Sequence, residues 1–321
     1  MTRSIIATPH SILDQLQDHA VRDLAWVIGS PGLLDEAYPA YQGHVVDDDW
    51  CNEQLQSRAA WLRTLDTQPQ PLHDFLKARP TRRLGHYFET LITFWLTHLS
   101  GTELIATNLQ VQDAQRTLGE YDFLFRQRDG ETVHWEAAVK FYLQVTPLAE
   151  QSSFIGPGTR DRLDIKLNKV FKQQLLLSNS PEGQQALPNS IKPDRTQAFI
   201  KGYLFYHFST RHKLSIDGIS AGHLSGWWMR HKLEKIPQTH AESHWAILPR
   251  LNWLAPALIT DETRVNTYTT LGDLLDTHFK SGSEALLIVE LSVETGSVWR
   301  ELSRGFVVCS TWPIITASNA N

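Results

Sequence analysis

This sequence has almost no cysteine. Cys51 and Cys309 are the only two among 321 residues, too few and too far apart for a disulfide framework or a cysteine-rich zinc site. A reducing cytoplasm is the compartment that fits. There is no cationic leader running into an apolar segment and a cleavage site, and the longest aliphatic stretch, Ala285 to Val293, is too short to cross a bilayer. Neither export nor membrane insertion is therefore expected. Positive charge is also short: 30 Lys and Arg stand against 35 Asp and Glu, for a net charge of -5 and a pI near 6.3. That excludes a protein that coats nucleic acid through bulk charge, so any phosphate site must be local. What remains is an ordinary globular composition, 41% hydrophobic and 20% charged. The chain is long enough to bury a large core as one extended domain or two smaller ones. It contains no internal repeat.

Against that background one stretch stands out. Gly119-Glu120-Tyr121-Asp122-Phe123-Leu124-Phe125 is followed, after a connection containing Asp129-Gly130, by Trp135-Glu136-Ala137-Ala138-Val139-Lys140-Phe141. Two aromatic-rich runs joined by a pair that favours left-handed turn conformations predict an antiparallel hairpin. Alternation along the strands puts Tyr121, Phe123 and Phe125 on an apolar side and Glu120 and Asp122 on the other. In the second strand Trp135, Ala137, Val139 and Phe141 are separated in the same way from Glu136, Ala138 and Lys140. Carboxylates gathered beside an apolar sheet repel one another and are costly to desolvate unless a cation compensates them. Mg²⁺ or Mn²⁺ suits this, because one or two carboxylates, waters and a substrate phosphate complete its shell. Such a site activates water for phosphodiester hydrolysis, with a neighbouring lysine stabilising charge. The alternative is a structural salt bridge on a solvated sheet face.

These residues resemble the PD-(D/E)XK nuclease superfamily, in which a helix bearing a glutamate precedes a three-stranded meander. Its second strand carries an aspartate and its third an acid-x-lysine. Arg82 to Leu96 is similar to that helix, with Glu89 as its glutamate, and Glu103 to Gln112 to the first strand; Asp122 and Lys140 match the later positions. Two residues before Lys140 stands Ala138 in place of an acid. Glu136 lies on the same face but about 13 Å from Lys140 along an extended strand, against about 7 Å for the usual spacing. The resemblance implies an α/β, restriction-endonuclease-like core acting on DNA through a metal held by Asp122, Glu89 and Glu136. Glu136 is then a migrated acid, and Asp122, Glu136, Lys140 and Glu89 are the catalytic set. A core that keeps the fold but serves nucleic-acid binding or regulation is the rival. His134 to Leu143 and Gly156 to Asp164 also resemble an uncharacterised bacterial family, the domain of unknown function numbered eighteen fifty-three, which is placed in that superfamily.

The flanks suggest three parts. Helical spacing through Ile12 to Ile28 and Leu55 to Leu65, punctuated by prolines, predicts a helical lobe over residues 1–79. The nuclease-like core takes 80–208, and an α/β extension takes 209–321. Ser178 to Arg195 reads as an exposed connection. Strands are expected at Ala198 to Phe208, Trp245 to Leu254, Leu286 to Val293 and Gly305 to Thr311, with helices near Gly226 to Ile236 and Leu271 to Phe279.

After the glycine loop, Leu163, Leu167, Val170, Phe171 and Leu175 follow one helical stripe and Arg162, Lys166, Lys169 and Gln173 another. The superfamily often places phosphate-contacting basic or glutamine residues on such a helix, and a solvated charged face is the other reading. Gly156 and Gly158 lack the remaining parts of either nucleotide-binding fingerprint. Gly218-Ile219-Ser220-Ala221-Gly222 matches the nucleophile elbow of serine hydrolases, for which Asp261 or Asp273 and His278 follow in the required order. The segment before it is a poor buried strand and no oxyanion motif lies upstream. His240 and His244 have helical i, i+4 spacing, but Glu242 is misplaced for a zinc protease. Tryptophans 227, 228, 245, 253, 299 and 312 enrich the C-terminal part. They fit a core or interface better than base stacking.

Overall fold

The computed structural model describes residues 12–114, 116–188, 191–210, 214–294 and 298–313. Five helices come first: α1 (Ile12–Gln15), α2 (His19–Gly29), α3 (Asp48–Ser57), α4 (Ala59–Thr67) and α5 (Gln70–Lys77). Then follow α6 (Leu84–His98), β1 (Glu103–Gln112), β2 (Thr117–Arg126), β3 (Thr132–Gln144), β4 (Phe154–Ile155), α7 (Leu163–Lys169), α8 (Pro181–Ala186) and β5 (Arg195–His207). The C-terminal part supplies β6 (Leu224–Arg230), β7 (His244–Leu248), β8 (Leu258–Ile259), α9 (Tyr268–Ser281), β9 (Leu286–Glu294) and β10 (Val298–Val308). The protein is a mixed α/β fold on one ten-stranded sheet in the order β1-β2-β3-β5-β6-β10-β9-β7, with β4 on β3 and β8 on β10. The ladders β3-β5, β5-β6 and β6-β10 are parallel and the others antiparallel.

Helices cover both faces around β3. Phe88, Leu91 and Trp95 of α6 are fully buried, and the rings of Phe88 and Trp95 meet Trp135 of β3 and Phe199 of β5, which stack at 4.8 Å. On the opposite face Leu163, Leu167 and Val170 pack with Tyr142, Ile200 and Leu204. The hydrophobic cluster on the α6 face runs from Ile12 through Val21, Leu24 and Ile28 of α2 to Phe306 and Trp312, so all three sequence segments share it. In β5, Gly202 has φ +141, and a Cβ there would lie 1.8 Å from the Lys140 carbonyl oxygen. Only glycine lets the two central strands run this close beside the candidate site.

The hairpin is formed as expected, with Gly130 at φ +92 in its turn. Trp135, Ala137 and Phe141 join the α6-side core, while Ala138 faces the other way. Tyr121 departs from the expected alternation. It packs with Val111, Leu124 and Leu177, away from Phe123 and Phe125, because the β2-β3 ladder ends at Phe123↔Trp135 and β2 turns off beyond it. Residues 226–230, the start of the helix expected near Gly226 to Ile236, belong instead to β6 between two parallel neighbours. A central strand buried on both faces has no alternation, and a short apolar run such as Trp227-Trp228-Met229 does not declare its period. Strand β7 stops at Leu248, before Pro249 and a tight turn at Arg250–Asn252, short of the expected Leu254. The expected strand at Gly305 to Thr311 begins earlier, at Val298, and ends at Val308. The connection after Ser178 contains α8, capped by Ser180. His244 opens β7 and shares no helical turn with His240.

Candidate active site

The site is built where β2 and β3 separate. Past the Phe123↔Trp135 pair the Ala137 N–H has lost its backbone partner on β2, and it donates to Asp122 Oδ2 at 2.8 Å. A side-chain carboxylate thus closes the end of the ladder. Asp122 is 7% exposed. Burial, reinforced by the Glu136 charge, raises the Asp122 pKa from the ordinary 3.8 to about 7. Glu89 of α6 is likewise raised to about 7, first by burial and then by Asp122. Its carboxylate faces His86 at 3.8 Å.

Glu136 is 1% exposed and fully engaged. Its Oε1 lies 3.0 Å from His134 Nε2 and its Oε2 accepts from Gln174 Nε2, while Gln174 Oε1 accepts from Lys166 Nζ at 3.1 Å. Burial pushes the Glu136 pKa up, with Lys166 opposing. Burial also holds the His134 imidazole down at about 4, so the ring is neutral and its single proton suits Nε2, facing Glu136. Lys166 has its own pKa lowered by burial and by Lys140, while Glu136 and Asp122 pull the other way. The result is a line from Lys166 through Gln174 to Glu136 and His134, beside the Asp122–Glu89 pair.

Of the residues expected at the site, Asp122, Glu136, Glu89 and Lys166 come together. Lys140 projects from the same face of β3, but its Nζ is bound to Asp161 Oδ2 at 2.5 Å on the glycine loop. Arg162 forks onto Asp164 at 2.6 and 3.0 Å. Lys169 and Gln173 are exposed. It is Gln174, not Gln173, that reaches Glu136, because the helix widens into a π turn over Val170–Gln174 and the Leu175 N–H donates to the Val170 carbonyl five residues back. A widened turn shifts every later side chain around the axis, and such turns often sit at functional sites.

Residues 22–308 match the model of a domain of unknown function, DUF1853. The chain belongs to that family. No curated protein sequence and no solved structure matches it. The matched span opens within α2 and closes on the last residue of β10, so it takes in the whole surroundings of Asp122.

Among the described residues no group of three or more His, Cys, Asp or Glu side chains is arranged to hold a metal ion. The donors present fit a smaller site. Asp122 and Glu89 are carboxylates that burial holds back from ionising, helped by the charge of Glu136 on Asp122 and of Asp122 on Glu89, and two carboxylates suffice for a hydrated divalent cation. Glu136 could join only by releasing His134 or Gln174.

Gln174, His134 and Asp161 were not singled out in the sequence. His134 had a signal, since residues two apart on a strand share a face with Glu136. Gln174 had none, because the π turn is invisible to a 3.6-residue period. Ser220 sits in a turn whose Oγ accepts from Gly222 N at 3.2 Å, and β6 follows it where the elbow needs a helix. Asp261 caps its own turn and His278 binds the Glu284 carbonyl, both without contact to Ser220. Lys213, in the segment before Ser220, lies outside the described residues. Trp228 and Trp245 are fully buried. No helix among the described residues is long and apolar enough to cross a membrane.

Proposed function

We propose that this protein is a phosphodiester hydrolase acting on nucleic acid, DNA foremost, with Mg²⁺ or Mn²⁺ held by Asp122 and Glu89. The observation that carries the reading is the Asp122 carboxylate at the split of β2 and β3, close to a second raised carboxylate and to Lys166. The element order supports it: a helix with Glu89, a three-stranded meander, a helix on the other face and a strand parallel to the third resemble a restriction-endonuclease-like core. When bound, the cation polarises a phosphoryl oxygen and lowers the pKa of its water. Lys166, held by Gln174, presents positive charge toward the phosphate. Lys140 exchanges Asp161 for the developing charge of the transition state. Glu136, His134 and Gln174 hold the array rigid. The test is incubation with Mn²⁺ and single-stranded, double-stranded or branched DNA. Metal-dependent cleavage that Asp122→Asn abolishes is expected, and cleavage surviving in that variant overturns the assignment.

Three observations favour a second reading, a nuclease-like fold retained for binding or regulation. Ala138 stands at the usual acid position, both Glu136 oxygens are taken, and Lys140 is paired. That reading expects no metal-dependent cleavage of any of the three DNA forms.

A further inference from the structure

Between Asp74 and Glu89 the chain carries no acid, yet Lys77, Arg79, Arg82, Arg83 and His86 fall there, in a protein with more acidic than basic residues overall. The fold gathers most of them. Arg79, Arg82, Arg83 and His86 line an open cleft of about 520 Å³ together with Pro80, Thr81 and Thr90. Arg79 is steadied by its guanidinium lying 3.8 Å over the Phe75 ring and by Nη1 donating to the Phe75 carbonyl at 3.3 Å. The Arg83 N–H donates to Thr81 Oγ1 at 3.0 Å, which fixes the turn that aims Arg82 and Arg83. Both arginines are exposed, and among the described residues neither guanidinium meets a carboxylate. Three guanidinium groups held close without acidic partners repel one another. Their planar forks match phosphate oxygens.

The cleft adjoins the acid site. His86 and Thr90 share a face of α6, and Glu89 follows His86 by three residues, 3.8 Å away in side-chain contact. From Arg83 to Glu89 the helix rises about 9 Å, the span of two or three backbone phosphates at about 3.4 Å of rise each.

We infer that this cleft binds a phosphate of a nucleic-acid strand and so sets the strand's position relative to the Asp122–Glu89 site. The inference rests on the nucleic-acid reading above but not on catalysis. It calls for anisotropy with a short fluorescent oligonucleotide in EDTA, comparing the wild type with an Arg82→Ala/Arg83→Ala variant over a range of salt. Because both side chains are exposed and unpaired, the variant should fold and melt as the wild type does. It should bind about tenfold more weakly at about 0.1 M salt. Its slope of log affinity against log salt should be shallower by about 0.7 on single strands if both arginines hold one phosphate and by about 1.4 if each holds its own. A preference for 5′-phosphorylated over 5′-hydroxyl oligonucleotide that the variant loses assigns the cleft to a strand end; equal loss on both assigns it to an internal phosphate. Unchanged affinity and slope overturn the inference, as does arginine-dependent binding to anionic vesicles with none to DNA. The two proposals fail separately. Cleavage by a wild type whose variant keeps its salt slope removes the cleft and leaves the nuclease, while arginine-dependent binding without cleavage leaves the cleft and removes the nuclease.

Discussion

Replacing Asp122 by Asn should make the metal-free protein more stable at neutral and alkaline pH. Asparagine keeps an oxygen to accept the Ala137 N–H, so the end of the β2-β3 ladder survives and only the charge is removed. In the fold the Asp122 pKa lies at about 7 against an ordinary 3.8. The folded state therefore binds more protons than the unfolded state between those values, and stability falls as pH rises. The contribution is full below the unfolded value and lost as pH passes through the folded one. The whole displacement corresponds to on the order of 4 kcal/mol. Because Glu136 and Glu89 share in the titration, the part that follows Asp122 alone is about 2 kcal/mol or more. Urea denaturation of wild type and variant in EDTA from about pH 4 to about pH 8 reads this directly. The two should be nearly equal in stability at the acid end, and the variant should lead at the alkaline end by about 2 kcal/mol or more. Adding Mn²⁺ should stabilise the wild type at the alkaline end and leave the variant unmoved. A constant difference across the pH range would refute the argument, because it would mean that Asp122 ionises in the fold as readily as in the unfolded chain.

Gln174→Ala should cost about 1–3 kcal/mol, since it leaves Glu136 Oε2 and Lys166 unpartnered. Gln173→Ala should stay within about 0.5 kcal/mol, and equal losses in thermal melts would place the π turn elsewhere. Lys140→Ala removes an ion pair whose partners are 25% and 42% exposed, so stability should change by less than about 1 kcal/mol. DNA cleavage should fall about 100-fold. Undiminished turnover by the purified variant would remove Lys140 from the reaction.

Much of the fold was legible because the relevant segments carry a strong period and clear punctuation. The Asp129-Gly130 turn, the alternating face of β3 and the apolar stripe of α7 each rest on a local rule that the surrounding structure does not override. Strand β1 spans Glu103–Gln112 as read from sequence. Strand β6 failed for a physical reason. Its neighbours on both edges and faces are distant in sequence, so nothing local in Trp227-Trp228-Met229 decides between strand and helix. Tyr121 failed where a ladder ends, and the end of a ladder depends on what replaces the missing hydrogen bond. Here the replacement is the Asp122 carboxylate, so the residue that broke the alternation rule is next to the one the site is built on.

The same logic explains which parts of the site could be read. Charged residues on a predictable face, Asp122, Glu136 and Lys140, were visible because strand geometry alone groups them. Their partners were not, because each comes from a departure from regular geometry: Gln174 from a π turn, Asp161 from the glycine loop, and the Ala137 N–H from a broken ladder. Buried acids are tolerated only when such partners offset their desolvation. Glu136 has two, whereas among the described residues Asp122 has one hydrogen bond and Glu89 has the imidazole of His86 at 3.8 Å and the attraction of Lys166. The asymmetry assigns different work to the three carboxylates. Glu136 is satisfied by the protein itself and acts as scaffold. Asp122 and Glu89 are left under-compensated, and on the proposed reading that unmet electrostatic demand is where the binding energy of a cation would be realised.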